Sequence, residues 1–176
     1  MTMNLSKVAA SKKTQSKYVI NMIRVTKKII KISYDRVKDG HVETYTMVSA
    51  EKPRPELYTC MNNLAAPVAG LLEIEKRVLD LRIRPVEVRF KYNGVGLMSA
   101  VIESEFRIPL AKANVMIKTP EKQEPVDPEI DTAEDRFFVP YTVEALRAVQ
   151  AEAIQFIDGE RAQTTLFNKK DGNKSE

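Results

Sequence analysis

The feature that most constrains this chain is a pair of segments, residues 86–92 and 98–108, in which apolar and polar side chains largely alternate. A period of two is typical of a strand with one buried side and one solvent-facing side. Asn93-Gly94-Val95-Gly96 lies between the segments and supplies turn-forming residues, so we predict an antiparallel hairpin. The predicted ion pairs across this hairpin join Glu103 and Glu105 to Arg89 and Lys91.

The other elements follow from local signals along the chain. We predict a strand at Ile23–Tyr34, a turn at Asp39-Gly40, a strand at His41–Ser49, a helix at Lys52–Leu72 kinked by Pro67, a short strand at Asn114–Ile117, and a helix from Thr142 to Ile157 ended by Gly159. Residues 119–140, which are acidic and rich in proline, are predicted to form a long surface loop. The order is ββαβββα, so the predicted fold class is α+β, a single two-layer domain with a mainly antiparallel sheet.

The length of 176 residues favours one domain with extensions. We predict a disordered basic arm at residues 1–21, the α+β domain at residues 22–158, and a C-terminal tail at residues 159–176. No apolar run approaches the ~20 residues that span a bilayer, so we expect no membrane contact and a reducing cytoplasm as the compartment.

Positive charge is concentrated at the N-terminus. Residues 1–34 contain eight lysines or arginines and no acid, and the whole chain has a net charge of +4. Such a segment can bind DNA through counterion release, or it can be a solvated basic arm without a partner, and both readings stay open. The candidate DNA-binding residues are Lys7, Lys12, Lys13, Lys17, Lys27 and Lys28.

No catalytic constellation is visible in the sequence. The chain has one histidine, His41, and one cysteine, Cys60, and it lacks a phosphate-binding loop of the G-x-x-x-x-G-K-[ST] type. We therefore predict no catalytic, cofactor-binding or metal-binding residues, and we expect Cys60 to fill space in the core. A cryptic hydrolase or nuclease that uses carboxylates stays as an alternative.

The C-terminal tail carries the most specific motif. Gln163-Thr164-Thr165-Leu166-Phe167 resembles the Q-x-x-L-F peptide by which bacterial and phage DNA-processing proteins dock on the replicative sliding clamp. The resemblance implies that Leu166 and Phe167 are apolar anchors and that Gln163 donates or accepts a hydrogen bond at the edge of the pocket. In the alternative reading, Leu166 and Phe167 fold back onto the sheet of their own domain.

A wider resemblance covers Met22 to Phe167. The strand after Met22, the proline-led helix, the ending Asp158-Gly159-Glu160-Arg161-Ala162-Gln163 and the terminal Leu-Phe are together similar to an uncharacterised phage and prophage protein family. The resemblance implies a phage or prophage origin near replication and recombination genes, and it implies no catalytic residue.

Two functions of different classes follow. The leading hypothesis is a non-enzymatic phage accessory protein of DNA replication or recombination, which binds DNA, a sliding clamp or both. The alternative is a protein-interaction factor that inhibits a host enzyme or defence system through the acidic residues 121–135.

Overall fold

The computed structural model describes residues 18–74, 83–108, 112–127 and 135–162. These residues form seven strands and three helices. The strands are β1 (Tyr18–Val25), β2 (Ile30–Lys38), β3 (His41–Ser49), β4 (Ile83–Tyr92), β5 (Met98–Ile108), β6 (Ala113–Lys118) and β7 (Lys122–Gln123). The helices are α1 (Pro55–Asn63), α2 (Ala65–Leu71) and α3 (Pro140–Ile157).

The strands form one antiparallel sheet in the order β3-β2-β1-β4-β5-β6, and β7 pairs with β5 beside this path. Helices α1 and α2 pack on β4, and α3 packs on β1 and α1. The predicted α+β class is confirmed, but the observed element order is βββααββββα. None of the described helices is long and apolar enough to cross a membrane.

The predicted strand at Ile23–Tyr34 is wrong, because this apolar run contains a turn. The Thr26 hydroxyl accepts hydrogen bonds from the backbone N–H groups of Lys28 and Ile29 and donates to the Ile29 carbonyl. A threonine side chain that bonds its own backbone in this way stabilises a tight turn. The first strand also begins at Tyr18, so the predicted boundary at Met22 falls inside β1.

The long predicted helix is divided, as expected from Pro67, but the division lies at Leu64. Proline has no N–H for the residue four positions earlier, which here is Asn63, and its ring clashes with that carbonyl. Helix α1 therefore ends at Asn63, and Pro67 occupies the first turn of α2.

The strand register does not bring the predicted ion partners opposite each other. Glu103 lies opposite Glu87, in the register set at the hairpin turn, and beyond the bulge between Pro85 and Glu87 the carboxylate of Glu105 lies opposite Arg84. Arg89 still reaches Glu103, at 3.5 Å, but the other predicted partners are wrong. The observed pairs are Arg84 with Glu105 at 2.6 Å and Lys91 with Glu121 at 2.7 Å.

The apolar face of α3 packs in the centre of the core. Helical spacing in the sequence predicts that this face consists of Val143, Leu146, Val149, Ala153 and Ile157. The first four are buried together with Phe156, and Ile157 is half-buried. The predicted surface loop at residues 119–140 is wrong in part, since β7 pairs with β5 and Phe138 is 1% exposed.

Candidate partner-binding site

Only some of the site residues predicted from the sequence belong to the part of the chain that the structure describes. Gln163, Leu166 and Phe167 lie outside the described residues, as do Lys7, Lys12, Lys13 and Lys17. Lys27 and Lys28 are described, and so is the chain up to Ala162. The structure therefore describes the chain up to the residue that directly precedes Gln163.

The chain reverses direction at the end of α3. Gly159 has a φ of +101°, its N–H donates to the Phe156 carbonyl at 3.2 Å, and the Glu160 N–H donates to the Gln155 carbonyl at 3.0 Å. This pair of bonds is the Schellman motif, which needs a left-handed residue that glycine adopts without steric strain. The predicted helix stop at Gly159 is confirmed, and it turns the next residues back toward α1.

Three residues after Gly159 are attached to the segment that precedes α1. The Ala162 N–H donates to the Lys52 carbonyl at 3.1 Å, and Arg161 Nε donates to the Glu51 carboxylate at 2.6 Å. The Arg161 guanidinium also lies 3.7 Å from the centroid of the Phe156 ring. We call Glu51–Arg54 together with Glu160–Ala162 the tail anchor.

Arg54 is the central side chain of the tail anchor. Its Nη2 lies 2.9 Å from the Glu152 carboxylate of α3, and its Nη1 pairs with Glu160. The hydrogen bond to Glu152 is the main cause that raises the pKa of Arg54 above its ordinary value. The guanidinium is therefore held charged and links α3, the end of the described chain and the start of α1.

Beside the tail anchor lies an open groove with a volume of ≈ 510 Å³. Its lining is Arg54, Pro55, Glu56, Glu160, Arg161 and Ala162. The next residue after Ala162 is Gln163, the first residue of the peptide that resembles a clamp-binding motif.

Lys27 and Lys28 lie at the same end of the molecule as the tail anchor. They are exposed in the turn between β1 and β2, and that turn lines a small recess together with Glu51, Lys52 and Tyr58. Tyr18, where the described chain begins, is at the other end of β1. Because a strand rises about 3.3 Å per residue, the two ends lie on the order of 23 Å apart. The structure thus separates Lys27 and Lys28 from the point where residues 1–17 join the sheet.

The face of the sheet away from the helices carries a network of ion pairs, in which the carboxylates of Glu87 and Glu103 face arginine and lysine side chains. Glu87 has a side chain only 4% exposed and pairs with Arg89 at 2.5 Å and with Arg24 at 3.5 Å. Glu103 lies 3.5 Å from Arg89 and 3.9 Å from Lys118. Phe90 is buried on the opposite face, so it cannot form a base-stacking platform together with Arg89 and Lys91.

The acidic segment is partly used inside the fold. Glu121 pairs with Lys91, and Glu124 pairs with Arg147 of α3. Within the described parts of the chain, no three His, Cys, Asp or Glu side chains come close enough to hold a metal ion. His41 is exposed beside its turn. Cys60 packs at the margin of the core, and burial raises the pKa of its thiol.

Sequence reasoning missed the roles of Arg54, Glu152 and Glu160. Glu152 and Glu160 contact Arg54 although they follow it by 98 and 106 positions in the chain. No local spacing in the sequence indicates contacts over such separations. The Gly159-Glu160-Arg161-Ala162 ending was singled out from the sequence as a distinctive segment, and in the structure it forms half of the tail anchor.

A comparison of the chain with known protein families, curated proteins and solved structures found no match.

Proposed function

We propose that this chain is a non-enzymatic phage or prophage accessory protein of DNA replication or recombination, which acts in the bacterial cytoplasm and docks on a sliding clamp through Gln163, Leu166 and Phe167. The observation that supports the proposal is the hydrogen bond from the Ala162 N–H to the Lys52 carbonyl, at 3.1 Å. It fixes the residue that immediately precedes the Q-x-x-L-F sequence, so the peptide starts from a defined point on the domain.

This arrangement suits peptide recognition. A short peptide gains most of its affinity from a few apolar anchors, here Leu166 and Phe167, and loses affinity to the ordering of flexible chain. The hydrogen bond at Ala162 orders the backbone of the residue directly before Gln163. Little additional chain therefore has to be ordered when the peptide binds.

DNA contact is the second part of the proposal. Lys27 and Lys28 are exposed on a tight turn that the Thr26 side chain holds in shape. A turn of this kind can present two cations to the phosphate backbone, and the lysines at positions 7, 12, 13 and 17 add sequence-independent attraction.

The clamp interaction is tested with the full-length chain and a purified bacterial sliding clamp in calorimetry or surface plasmon resonance. We expect wild-type binding to disappear in Leu166→Ala/Phe167→Ala, because both anchors are lost. Asn168→Ala, which changes the residue just beyond the motif, is the matched control and should bind like wild type. Absence of wild-type binding at high micromolar clamp would refute the clamp part of the proposal.

The DNA interaction is tested by the salt dependence of binding to a labelled duplex. We expect Lys27→Ala/Lys28→Ala to reduce the slope of log K against log salt by roughly two, because each phosphate contact contributes close to one. Lys112→Ala, an exposed lysine before β6, is the control and should leave the slope unchanged. Equal slopes for wild type and Lys27→Ala/Lys28→Ala would exclude these two lysines from the DNA contact.

A further inference from the structure

Strand β3 lies at one edge of the described sheet, and most of its side chains are exposed. It spans nine residues, and its side chains from His41 to Thr46 are all exposed. In the described part of the chain β3 and β6 are the two edges of the sheet. Natural edges are commonly protected by proline, lysine, a bulge or short length. β3 contains neither proline nor lysine, and its register with β2 runs from Lys38–His41 to Ile30–Ser49 without a shift.

The backbone of β3 offers regularly spaced groups at this edge. Asp39 and Gly40 both have positive φ, 50° and 78°, and form the two-residue turn between β2 and β3. In such a hairpin the flanking residues exchange backbone hydrogen bonds, so alternate residues starting at His41 point their amide groups at β2. The amide groups of Val42, Thr44, Thr46 and Val48 therefore point away from β2, at the edge.

The sequence of β3 is complementary to itself in reverse. Around Tyr45 it is close to a palindrome, reading Val42-Glu43-Thr44-Tyr45-Thr46-Met47-Val48. Two copies placed antiparallel about an axis at Tyr45 set Val42 opposite Val48 and Thr44 opposite Thr46. These are the residues whose amide groups point outward, and pairs of β-branched residues are favourable in antiparallel sheets.

The other face of β3 fits the same pairing. Tyr18, Tyr34 and Tyr45 form a row across β1, β2 and β3, with ring centroids 5.2 and 5.5 Å apart. The axis would place Tyr45 opposite Tyr45 of the second copy and continue the row. Glu43 would lie opposite Met47, and the two Glu43 carboxylates would be on the order of 14 Å apart along the strands. That separation exceeds the screening length of about 10 Å at 0.1 M salt, so repulsion is weak.

We propose that two copies of this chain associate through β3, antiparallel about a two-fold axis at Tyr45, and join their sheets into one continuous sheet. The interface is isologous, since the same strand serves both partners. It uses no residue of the tail anchor or the tail, so the proposal is independent of sliding-clamp binding.

Sedimentation equilibrium of the full-length chain over a dilution series tests the association. We expect wild type to have the mass of two chains. Thr44→Lys/Thr46→Lys places like charges opposite each other and should have the mass of one chain, whereas Thr44→Lys/Thr46→Glu places opposite charges in the same positions and should restore two. Circular dichroism checks that all three are folded. A wild-type mass of one chain throughout, or equal masses for the two variants, would overturn the proposal.

The register is tested separately by disulfide formation in a Cys60→Ser background. A non-hydrogen-bonded antiparallel pair has Cα atoms about 4.5 Å apart, within the range that a disulfide bridges. Tyr45→Cys should therefore form a covalent dimer in air. Val115→Cys, on the other edge strand β6, is the control and should form no disulfide-linked dimer under the same conditions. Equal cross-linking at both positions would indicate random collision and contradict the register.

Discussion

Arg54 donates a hydrogen bond to the carboxylate of Glu152 at 2.9 Å, although the two residues are 98 positions apart in the chain. The same guanidinium pairs with Glu160, so one side chain joins the start of α1, the last turns of α3 and the residues that lead into the tail. Arg54 therefore helps to hold residues 160–162, which directly precede the candidate docking peptide.

Replacing Arg54 with methionine keeps much of the side chain's apolar length and removes its charge. We expect a lower midpoint of thermal unfolding and faster tryptic cleavage after Arg161, because Glu152 and Glu160 lose their shared cation and the tail anchor opens more often. Circular dichroism and timed proteolysis measure the two effects. Arg107→Met, which removes an exposed arginine of β5, is the control. An unchanged cleavage rate in Arg54→Met would contradict this role.

Leu146 lies fully buried on α3, with 0% of its surface exposed. Leu146→Ala should lower the free energy of unfolding by about 3 kcal/mol, since it removes buried apolar atoms and leaves a cavity that the surroundings fill only in part. Urea unfolding followed by circular dichroism measures the change. Ala148→Ser, on the exposed side of the same helix, should stay within about 0.5 kcal/mol of wild type. A loss below 1 kcal/mol in Leu146→Ala would show that the site is less tightly packed than described.

The environment of Tyr92 should make the free energy of unfolding depend on pH above pH 10. Its hydroxyl donates to the Ile20 carbonyl at 2.9 Å, and burial raises its pKa to about 12 from 10.0. Because the folded state favours the neutral phenol, the stabilisation is complete below pH 10 and is lost as the pH rises through 12.

Tyr92→Phe should therefore be less stable than wild type at pH 8 by about 1 kcal/mol, the usual net value of one hydrogen bond. Between pH 10 and 12 wild type should lose more stability than the variant, so the difference shrinks. Urea unfolding at a series of pH values measures both curves. Parallel curves across this range would argue against a raised pKa, and the other five tyrosines are common to both proteins.

Cys60 should react slowly in the native protein. Burial raises the pKa of its thiol, and the negative charges of Glu152 and Glu56 add to that effect. At pH 8 the folded chain therefore contains less Cys60 thiolate than the unfolded chain, and thiolate is the form that attacks alkylating reagents. We expect iodoacetamide to modify the native chain more slowly than the urea-unfolded chain, with mass spectrometry reading the single adduct. Equal rates in both states would mean that the surroundings of Cys60 do not protect it.

Local sequence patterns predicted much of the fold. The alternation in residues 86–92 and 98–108 identified the β4–β5 hairpin, Asp39-Gly40 identified the turn before β3, and Gly159 identified the end of α3. These features depend on residues close together in the chain. The turn at Thr26 was missed because Ile23–Tyr34 is rich in β-branched residues throughout, and only the Thr26 side-chain bonds mark the break. The burial of Glu87 was missed because it depends on the pairing of β4 with β1, which sets Arg24 opposite Glu87.

By itself, the sequence determined the α+β class, the resemblance of Gln163–Phe167 to a clamp-binding peptide and the near-palindrome around Tyr45. Each of these depends on residue order or on short-range periodicity. Only the tertiary structure decided three other facts. Residues 160–162 are held against residues 51–54, Lys27 and Lys28 lie at that same end, and β3 is an edge of the sheet that the described strands form. The physical reason is that these three facts depend on which strands and loops become neighbours. That choice is made by burial of the whole core. As a result, Arg54 meets Glu152 and Glu160, which are 98 and 106 positions away in the chain.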